Sequence, residues 1–120
     1  MNKTPFFKAF YYAFDGILHF FKNDRNGRVH LAISAWVAIG GFYFGLSVHE
    51  WMAVLFCVAI VIALEMLNHA LEKLCDMVHP VYHPGIKVGK DVAAGAVLWS
   101  SIISAIIGAI IFVPKIATLF

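Results

Sequence analysis

Four polar side chains, Glu65, Asn68, His69 and Glu72, interrupt an otherwise apolar segment of the sequence and are the first candidates for chemistry. On a helix with about 100° of rotation per residue, Glu72 lies about 20° to one side of Glu65, and Asp76 lies about 20° to the other side. The two glutamates therefore share one face of the helix, which Asn68 and His69 flank. We call these four residues the polar stripe. Carboxylates on such a face can serve as a general base or as ligands of a hard cation such as Mg²⁺.

The position of the polar stripe inside an apolar segment indicates a function rather than a structural contact. A charged group near the centre of a bilayer costs about 3 kcal/mol on insertion scales, so such groups face a bundle interior and usually act. Glu65 lies about 10 Å deeper along the helix than Glu72, which is too far for the two to share one proton. The separation predicts a deep residue that acts at the lipid headgroups and a shallow residue that acts on a cytosolic group.

Charged residues outside the stripe complete a pattern that is typical of phosphoryl transfer. Asp24 and Arg28 precede the first apolar segment, and Lys87, Lys90 and Asp91 precede the last one. Mg²⁺ commonly binds one or two protein carboxylates together with substrate phosphates, and lysines neutralise phosphate oxygens. The sequence contains neither a glycine-rich phosphate loop nor the catalytic-loop signature of protein kinases, which excludes a kinase of either familiar soluble type.

The composition predicts that helices in a membrane position these groups. Hydrophobic residues make up 62% of the 120 residues and charged residues 13%, whereas a soluble domain is roughly 25% charged. The pattern predicts one all-α membrane domain over residues 1–120, with a surface helix at 4–22 and transmembrane helices at about 29–48, 51–74 and 91–113. The formal net charge of +2 and the lack of a basic run argue against nucleic acid as a partner.

The surface helix is expected to lie flat on the membrane because its apolar and polar residues fall on opposite faces. Its apolar face carries Phe10, Phe14, Ile17 and Phe21, and its polar face carries Lys8, Asp15, His19 and Lys22. In the first predicted span, Gly40, Gly41 and Gly45 are expected to allow another helix to approach closely. His49 and Glu50 are expected to form a very short connection to the second span.

The basic residues predict the orientation in the membrane, because cytoplasmic loops are enriched in Lys and Arg. Eight of them precede the first span or lie between the second and third, and one follows the third. The eight are Lys3, Lys8, Lys22, Arg25, Arg28, Lys73, Lys87 and Lys90, and the other is Lys115. The N-terminus and the 75–90 loop are therefore predicted to be cytoplasmic and the C-terminus to lie outside.

Two motifs stand out in the sequence. The first is Glu65-Met-Leu-Asn68-His-Ala-Leu-Glu72, followed by Asp76, and the second is Lys90-Asp91 ahead of a small-residue helix. Together they resemble the prokaryotic diacylglycerol kinase and undecaprenol kinase family. The family pattern is Glu-x-x-Asn-[Thr/Ser]-Ala-x-Glu, then Lys-Asp, and the resemblance covers essentially the whole chain. It implies a lipid kinase of the bacterial cell (inner) membrane that uses ATP and Mg²⁺. It also implies a homotrimer whose active sites are shared between neighbouring subunits.

The resemblance further implies roles for individual residues. Glu65 matches the general base that deprotonates the lipid hydroxyl, and Asn68 and Arg28 match positions that line the substrate site. Asp24 and Glu72 match the metal-binding pair. The positions that match the ATP site are Tyr12, Asp24, Glu72, Tyr82, His83, Lys90 and Asp91.

Two residues depart from the family pattern. Asp24 stands where the family has Glu, in a Glu-x-x-x-Arg pattern, and is shorter by one methylene. His69 stands where Thr or Ser is usual, and three roles are open to it: it tunes Glu65, contacts a phosphate, or packs. Neither change removes Glu65 or Lys90, so activity is expected to survive.

The lipid substrate and two other kinds of function stay open at this stage. The connector from Tyr82 to Asp91 resembles the undecaprenol kinase branch more than the diacylglycerol kinase branch, but both lipids present a hydroxyl at the interface. The polar stripe alone also fits a small ion or proton transporter that uses the carboxylates as a relay. The apolar run from Trp51 to Leu64 argues against such a relay, because it interrupts the path. A structural accessory subunit would leave Lys90 and the stripe unexplained.

Overall fold

The computed structural model describes residues 5–120, which form four α-helices. They are α1 (Phe6–Asn23), α2 (Arg25–Phe44), α3 (Val48–Val78) and α4 (Pro84–Ala117). Helix α3 packs most extensively on α4, α2 packs against α3, and α1 contacts α2. The all-α class predicted from the sequence is confirmed. Of the predicted surface helix at 4–22, residue 4 lies outside the described residues.

Asp24 and Gly45 explain where α1 ends and where α2 begins and ends. The carboxylate of Asp24 accepts a hydrogen bond from the backbone N–H of Gly27 (2.7 Å) and so caps the start of α2. The same residue ends α1, where its own N–H donates to the carbonyl of Phe20. Gly45 ends α2 in the left-handed conformation (φ 69°), which glycine adopts without strain.

The last two helices begin with equally local signals. Ser47 and Glu50 form a capping box at the start of α3, with each side chain accepting a hydrogen bond from the other's backbone. At the start of α4, the ring of His83 accepts a hydrogen bond from Gly85, and Pro84 occupies the first turn. These caps make both helices longer than the spans predicted from hydropathy.

Three predicted boundaries are therefore corrected. His49 and Glu50 belong to α3 rather than to a connection, which runs from Gly45 to Ser47. The polar connector before the third span is mostly helical, because α4 already begins at Pro84. Helix α4 also passes through Pro114 and ends at Ala117.

Helices α3 and α4 are long and apolar enough to cross a membrane, with mean hydropathy of 2.2 and 2.4 over their most apolar stretches. Since 17% of each stretch is buried within the chain, most of this apolar surface remains available to lipid or to other subunits. Helix α2 does not meet the same criterion of length and composition. The first turn of α2 carries Arg25 and Arg28, and the helix ends at Phe44, before the predicted end of the span at residue 48. The transmembrane helix at 29–48 therefore stays a prediction.

The apolar core lies at the end of the helices opposite the polar stripe. Leu46, Val54 and Ile111 form its buried centre. Gly41 lets the ring of Trp51 approach α2, since a Cβ at this position would lie 2.6 Å from that ring. Of the three glycines predicted to allow close packing, Gly41 does so. A Cβ at Gly40 would meet Phe112 at 3.4 Å, an ordinary van der Waals contact, and Gly45 terminates the helix.

Helix α1 leaves its predicted apolar face exposed. Phe10 and Phe14 are more than half exposed and Ile17 is more than one third exposed. The buried residue of α1 is Phe20, which lies beside the predicted apolar face rather than on it. Phe20 thus attaches α1, and Phe21 is partly buried beside it, whereas Phe6, Phe7, Phe10 and Phe14 stay exposed and available to a membrane surface.

Candidate active site

The part of the polar stripe from Glu65 to His69 lies on a face of α3 that the chain covers. Glu65 and Asn68 are 3% and 8% exposed and are the two polar residues of this helix that are buried. His69 is partly buried and Glu72 is exposed. The Oδ1 atom of Asn68 is buried and has no hydrogen-bond partner among the described residues. An unpaired buried amide oxygen beside a carboxylate is a ready acceptor for a substrate hydroxyl.

The turn between α1 and α2 brings Asp24 to the deep part of the stripe. One carboxylate oxygen of Asp24 accepts the N–H of Gly27, and the other lies 2.8 Å from Nδ1 of His69. The carboxyl group of Glu65 also lies near enough to Asp24 for the two to interact electrostatically. The sequence grouped Asp24 with Glu72, whereas the fold gathers Asp24, Glu65 and His69 into one cluster, which we call the deep cluster.

His69 has a packing role together with a polar contact that the sequence did not suggest. Its ring packs edge-on against Phe20 and His19, with ring centroids 5.7 and 6.2 Å away. Its Nδ1 bonds Asp24, while its Nε2 is buried and without a partner among the described residues. Of the three roles left open, packing is observed, and the contact with Asp24 is additional.

A second group of charged residues surrounds a cavity of about 290 Å³ between the end of α3 and the start of α4. We call it the rim cluster; it contains Asp76, Tyr82, His83, Lys87, Lys90 and Asp91. Nζ of Lys90 donates to Asp76 and Nζ of Lys87 donates to Asp91, both at 2.6 Å. The cavity is thus lined by two cationic side chains, two carboxylates and an aromatic ring. This set of groups fits a phosphate-bearing ligand with a planar base.

Glu72 lies between the two clusters. It is near enough to interact electrostatically with Glu65 on one side and with Lys90 on the other. Within residues 5–120 its carboxylate has no hydrogen bond or ion pair. Glu72 is therefore free to bind a cation or a cationic partner.

The donor set fits Mg²⁺ in complex with a nucleotide rather than a metal held by protein alone. In the described part of the chain, no group of three or more His, Cys, Asp and Glu residues is placed to hold a metal ion. Mg²⁺ usually needs one or two carboxylates and takes its other ligands from phosphates and water. Glu72 offers an unpaired carboxylate, and each oxygen of Asp24 keeps a second lone pair beyond its hydrogen bond.

Two of the residues expected at the site make local contacts instead. Tyr12 is 58% exposed and its ring lies against that of Tyr11. The guanidinium of Arg28 donates to the carbonyls of Phe21 and Lys22 and so fastens the end of α1 to α2. In residues 5–120, the hydrogen bonds and ring contacts of these two side chains stay within α1 and α2.

Phe20 and Gly27 support the deep cluster and were not found from the sequence. Phe20 is 3% exposed and lies between the ring of His69 and the backbone of Gly27. A Cβ added at Gly27 would lie 2.4 Å from the Phe20 ring, so a glycine is required for this approach. Gly27 ends the segment Asn-Asp-Arg-Asn-Gly, whose composition is typical of a turn, but no pattern distinguishes Phe20 from the other phenylalanines of α1.

Comparisons with known proteins bear on what these clusters do. The sequence profile of the family described as prokaryotic diacylglycerol kinase matches residues 11–112. The undecaprenol kinase of Bacillus subtilis (strain 168) is 41% identical over 111 residues, covering 92% of this chain and 90% of that protein. The diacylglycerol kinase of Synechocystis sp. (strain ATCC 27184 / PCC 6803 / Kazusa) is 33% identical over 112 residues. That match covers 92% of this chain and 64% of that protein.

Proposed function

The chain belongs to the prokaryotic diacylglycerol kinase family of lipid kinases, and we propose that it transfers the γ-phosphate of ATP to the hydroxyl of undecaprenol at the membrane surface. The single observation that carries this proposal is the placement of a buried carboxylate, Glu65, beside the unpaired amide oxygen of Asn68. Such a pair suits an alcohol that must be held and deprotonated. The rim cluster supplies the phosphate-binding groups.

In the proposed reaction, Glu65 accepts the proton of the lipid hydroxyl while the alcohol oxygen bonds to the γ-phosphorus. The bond between that phosphorus and the β,γ-bridging oxygen breaks, and ADP leaves. Asn68 orients the hydroxyl, and Lys90 neutralises phosphate oxygens. The Lys90 side chain exchanges its present partner, Asp76, for the nucleotide.

Mg²⁺ and ATP are proposed to bind between the two clusters. Asp24 and Glu72 are the proposed metal ligands, and Mg²⁺ would supply positive charge to the phosphate oxygens. Tyr82, His83 and Asp91 are proposed to bind the nucleotide from the rim cluster. Tyr12 and Arg28 are proposed to reach nucleotide and lipid across a subunit boundary in a homotrimer. Native mass spectrometry of the detergent-solubilised protein should show three copies.

Undecaprenol is favoured over diacylglycerol as the acceptor by two observations. The connector from Tyr82 to Asp91 resembles the undecaprenol kinase branch, and identity is higher to the undecaprenol kinase than to the diacylglycerol kinase. An apolar cavity of about 670 Å³ between α3 and α4 extends to Leu64, next to Glu65, and is suited to the hydrocarbon chain of either lipid. Its other lining residues include Phe56, Ile60 and Trp99.

A transporter is not retained as a second function. The curated relatives are kinases, and α3 carries no acidic or basic residue between Glu50 and Glu65. The orientation proposed for the chain has the rim cluster on the cytoplasmic side, where ATP is available.

The test is phosphorylation of each lipid by the purified protein with labelled ATP and Mg²⁺, repeated on a Glu65→Gln variant. Loss of a general base typically lowers a rate by about 10²–10⁴-fold, so Glu65→Gln should show a drop of this size. Glu50→Gln is the matched control: it makes the same chemical change at the other end of α3 and should keep wild-type activity. Full activity of Glu65→Gln would refute the proposed base, and preference for diacylglycerol would refute the proposed lipid.

A further inference from the structure

His69 makes a contact that links distant parts of the chain. Its Nδ1 lies 2.8 Å from Oδ2 of Asp24, across 45 residues of sequence. Within residues 5–120, this is the side-chain hydrogen bond that joins α3 to the turn between α1 and α2. Both side chains are mostly buried, at 17% and 12% exposure, so water competes weakly for the bond.

Two hydrogen bonds fix the orientation of the Asp24 carboxylate. Oδ1 is held by the backbone N–H of Gly27 at 2.7 Å, and Oδ2 is held by His69. Because a carboxylate accepts and does not donate, the proton of this second bond belongs to Nδ1 of the imidazole. The ring itself is held by Phe20, which is buried and packs edge-on against it.

We propose that His69 is a positioning residue that aims the Asp24 carboxylate at the metal–nucleotide complex. This inference rests on the proposed function, in which Asp24 and Glu72 bind the metal. The Nδ1–H of His69 holds Oδ2, and each oxygen of Asp24 keeps a second lone pair with which it could bind the metal. A hydrogen-bonded partner behind a ligating carboxylate is a common device, and losing it lowers metal affinity or activity by about 10–100-fold.

The contact also accounts for the two residues that depart from the family pattern. Asp24 is shorter than the usual Glu, and His69 is longer than the usual Thr or Ser. In this chain the long imidazole reaches the short carboxylate directly. A threonine at position 69 is too short to span the same gap to Asp24.

The experiment compares three substitutions of His69 in the full-length protein in lipid nanodiscs. His69→Asn places an amide N–H where Nδ1 stands and keeps the donor. His69→Leu fills a similar volume against Phe20 without a donor, and His69→Thr is a second variant that lacks the contact. Mn²⁺ binding in the presence of ADP is followed by electron paramagnetic resonance, alongside the Mg²⁺ dependence of KM and kcat.

We expect loss of the His69 donor to weaken metal binding more than it lowers kcat. His69→Leu and His69→Thr should weaken Mn²⁺ binding and raise the half-saturating Mg²⁺ concentration about 10–100-fold, with a smaller change in kcat at saturating Mg²⁺. His69→Asn should stay close to the wild type. Unchanged Mn²⁺ binding in the Leu and Thr variants, or a loss in His69→Asn as large as in His69→Leu, would overturn the inference. Failure of the wild-type protein to phosphorylate either lipid would instead refute the proposed function.

Discussion

The contact between Gly27 and Phe20 allows a sharp test of how the deep cluster is built. A Cβ at position 27 would lie 2.4 and 2.6 Å from two atoms of the Phe20 ring, which is closer than non-bonded carbons approach. In Gly27→Ala the ring must therefore move. Phe20 is 3% exposed and packs on His69, so the displacement should pass to the imidazole and to its bond with Asp24.

The expected effect on stability follows from two opposing contributions. Overpacking a buried site typically costs about 1–3 kcal/mol. Replacing a helical glycine by alanine returns about 0.5–1 kcal/mol, because the unfolded chain loses freedom. The two ranges leave a net destabilisation of about 0–2.5 kcal/mol, and the 2.4 Å contact favours the upper part, about 1–2 kcal/mol. For a chain of this length the melting temperature should then fall by roughly 3–12 °C.

The assay is thermal unfolding of the purified protein in detergent, followed by circular dichroism, together with the lipid kinase rate. Gly16→Ala in α1 is the control, because a Cβ there meets nothing within 4 Å. This variant should match or exceed the wild type in stability.

A double-mutant cycle isolates the contact itself. Phe20→Leu alone opens a cavity, but in the Gly27→Ala background it should relieve the clash, so the two effects should not add. Additive effects, or a Gly27→Ala variant as stable as the wild type, would refute the idea that Phe20 links α1 to the deep cluster.

Three further predictions concern charged groups. Lys90→Met should raise KM for ATP by about tenfold or more, because a charge-assisted bond to phosphate is lost; an unchanged KM would exclude Lys90 from the nucleotide site. Asp76→Asn should leave the melting temperature near that of the wild type, since its ion pair with Lys90 is largely exposed; a large fall would show that the rim cluster is structural. Glu50→Ala should lower the melting temperature more than Glu50→Gln, because an amide can still accept from Ser47 whereas alanine cannot; equal melting temperatures would mean that the cap is unimportant.

The sequence predicted the helices well because hydropathy and periodicity reflect local physics. It was less accurate at their ends, where single side chains decide the outcome. Ser47 and Glu50 start α3 before the apolar run begins, and His83 with Pro84 starts α4 inside what was expected to be a connector. Hydropathy detects the part of a helix that meets lipid, whereas caps set the length of the helix itself.

The candidate site was predicted in part, for a similar reason. The order of Glu65 and Glu72 along one helix follows from its geometry alone, and the buried and exposed states of the two agree with that order. The partnership of His69 with Asp24 depends on where the turn between α1 and α2 lies against α3, which no spacing within one helix encodes. The pairing of Lys90 with Asp76 likewise depends on the angle between α3 and α4.

The separation of the deep and rim clusters constrains how the proposed reaction must proceed. A nucleotide anchored at Lys90 has to extend its terminal phosphate along α3 to meet a hydroxyl beside Glu65. Glu72 lies within electrostatic range of both residues, so this carboxylate stands on the path and would repel the phosphates unless a cation intervened. An exposed, unpaired glutamate between the buried carboxylate of Glu65 and a lysine therefore supports the proposal that Mg²⁺ binds here. In the proposed reaction, Mg²⁺ bound to Glu72 and Asp24 would offset this repulsion, and these two carboxylates would help to hold the phosphate near the lipid oxygen.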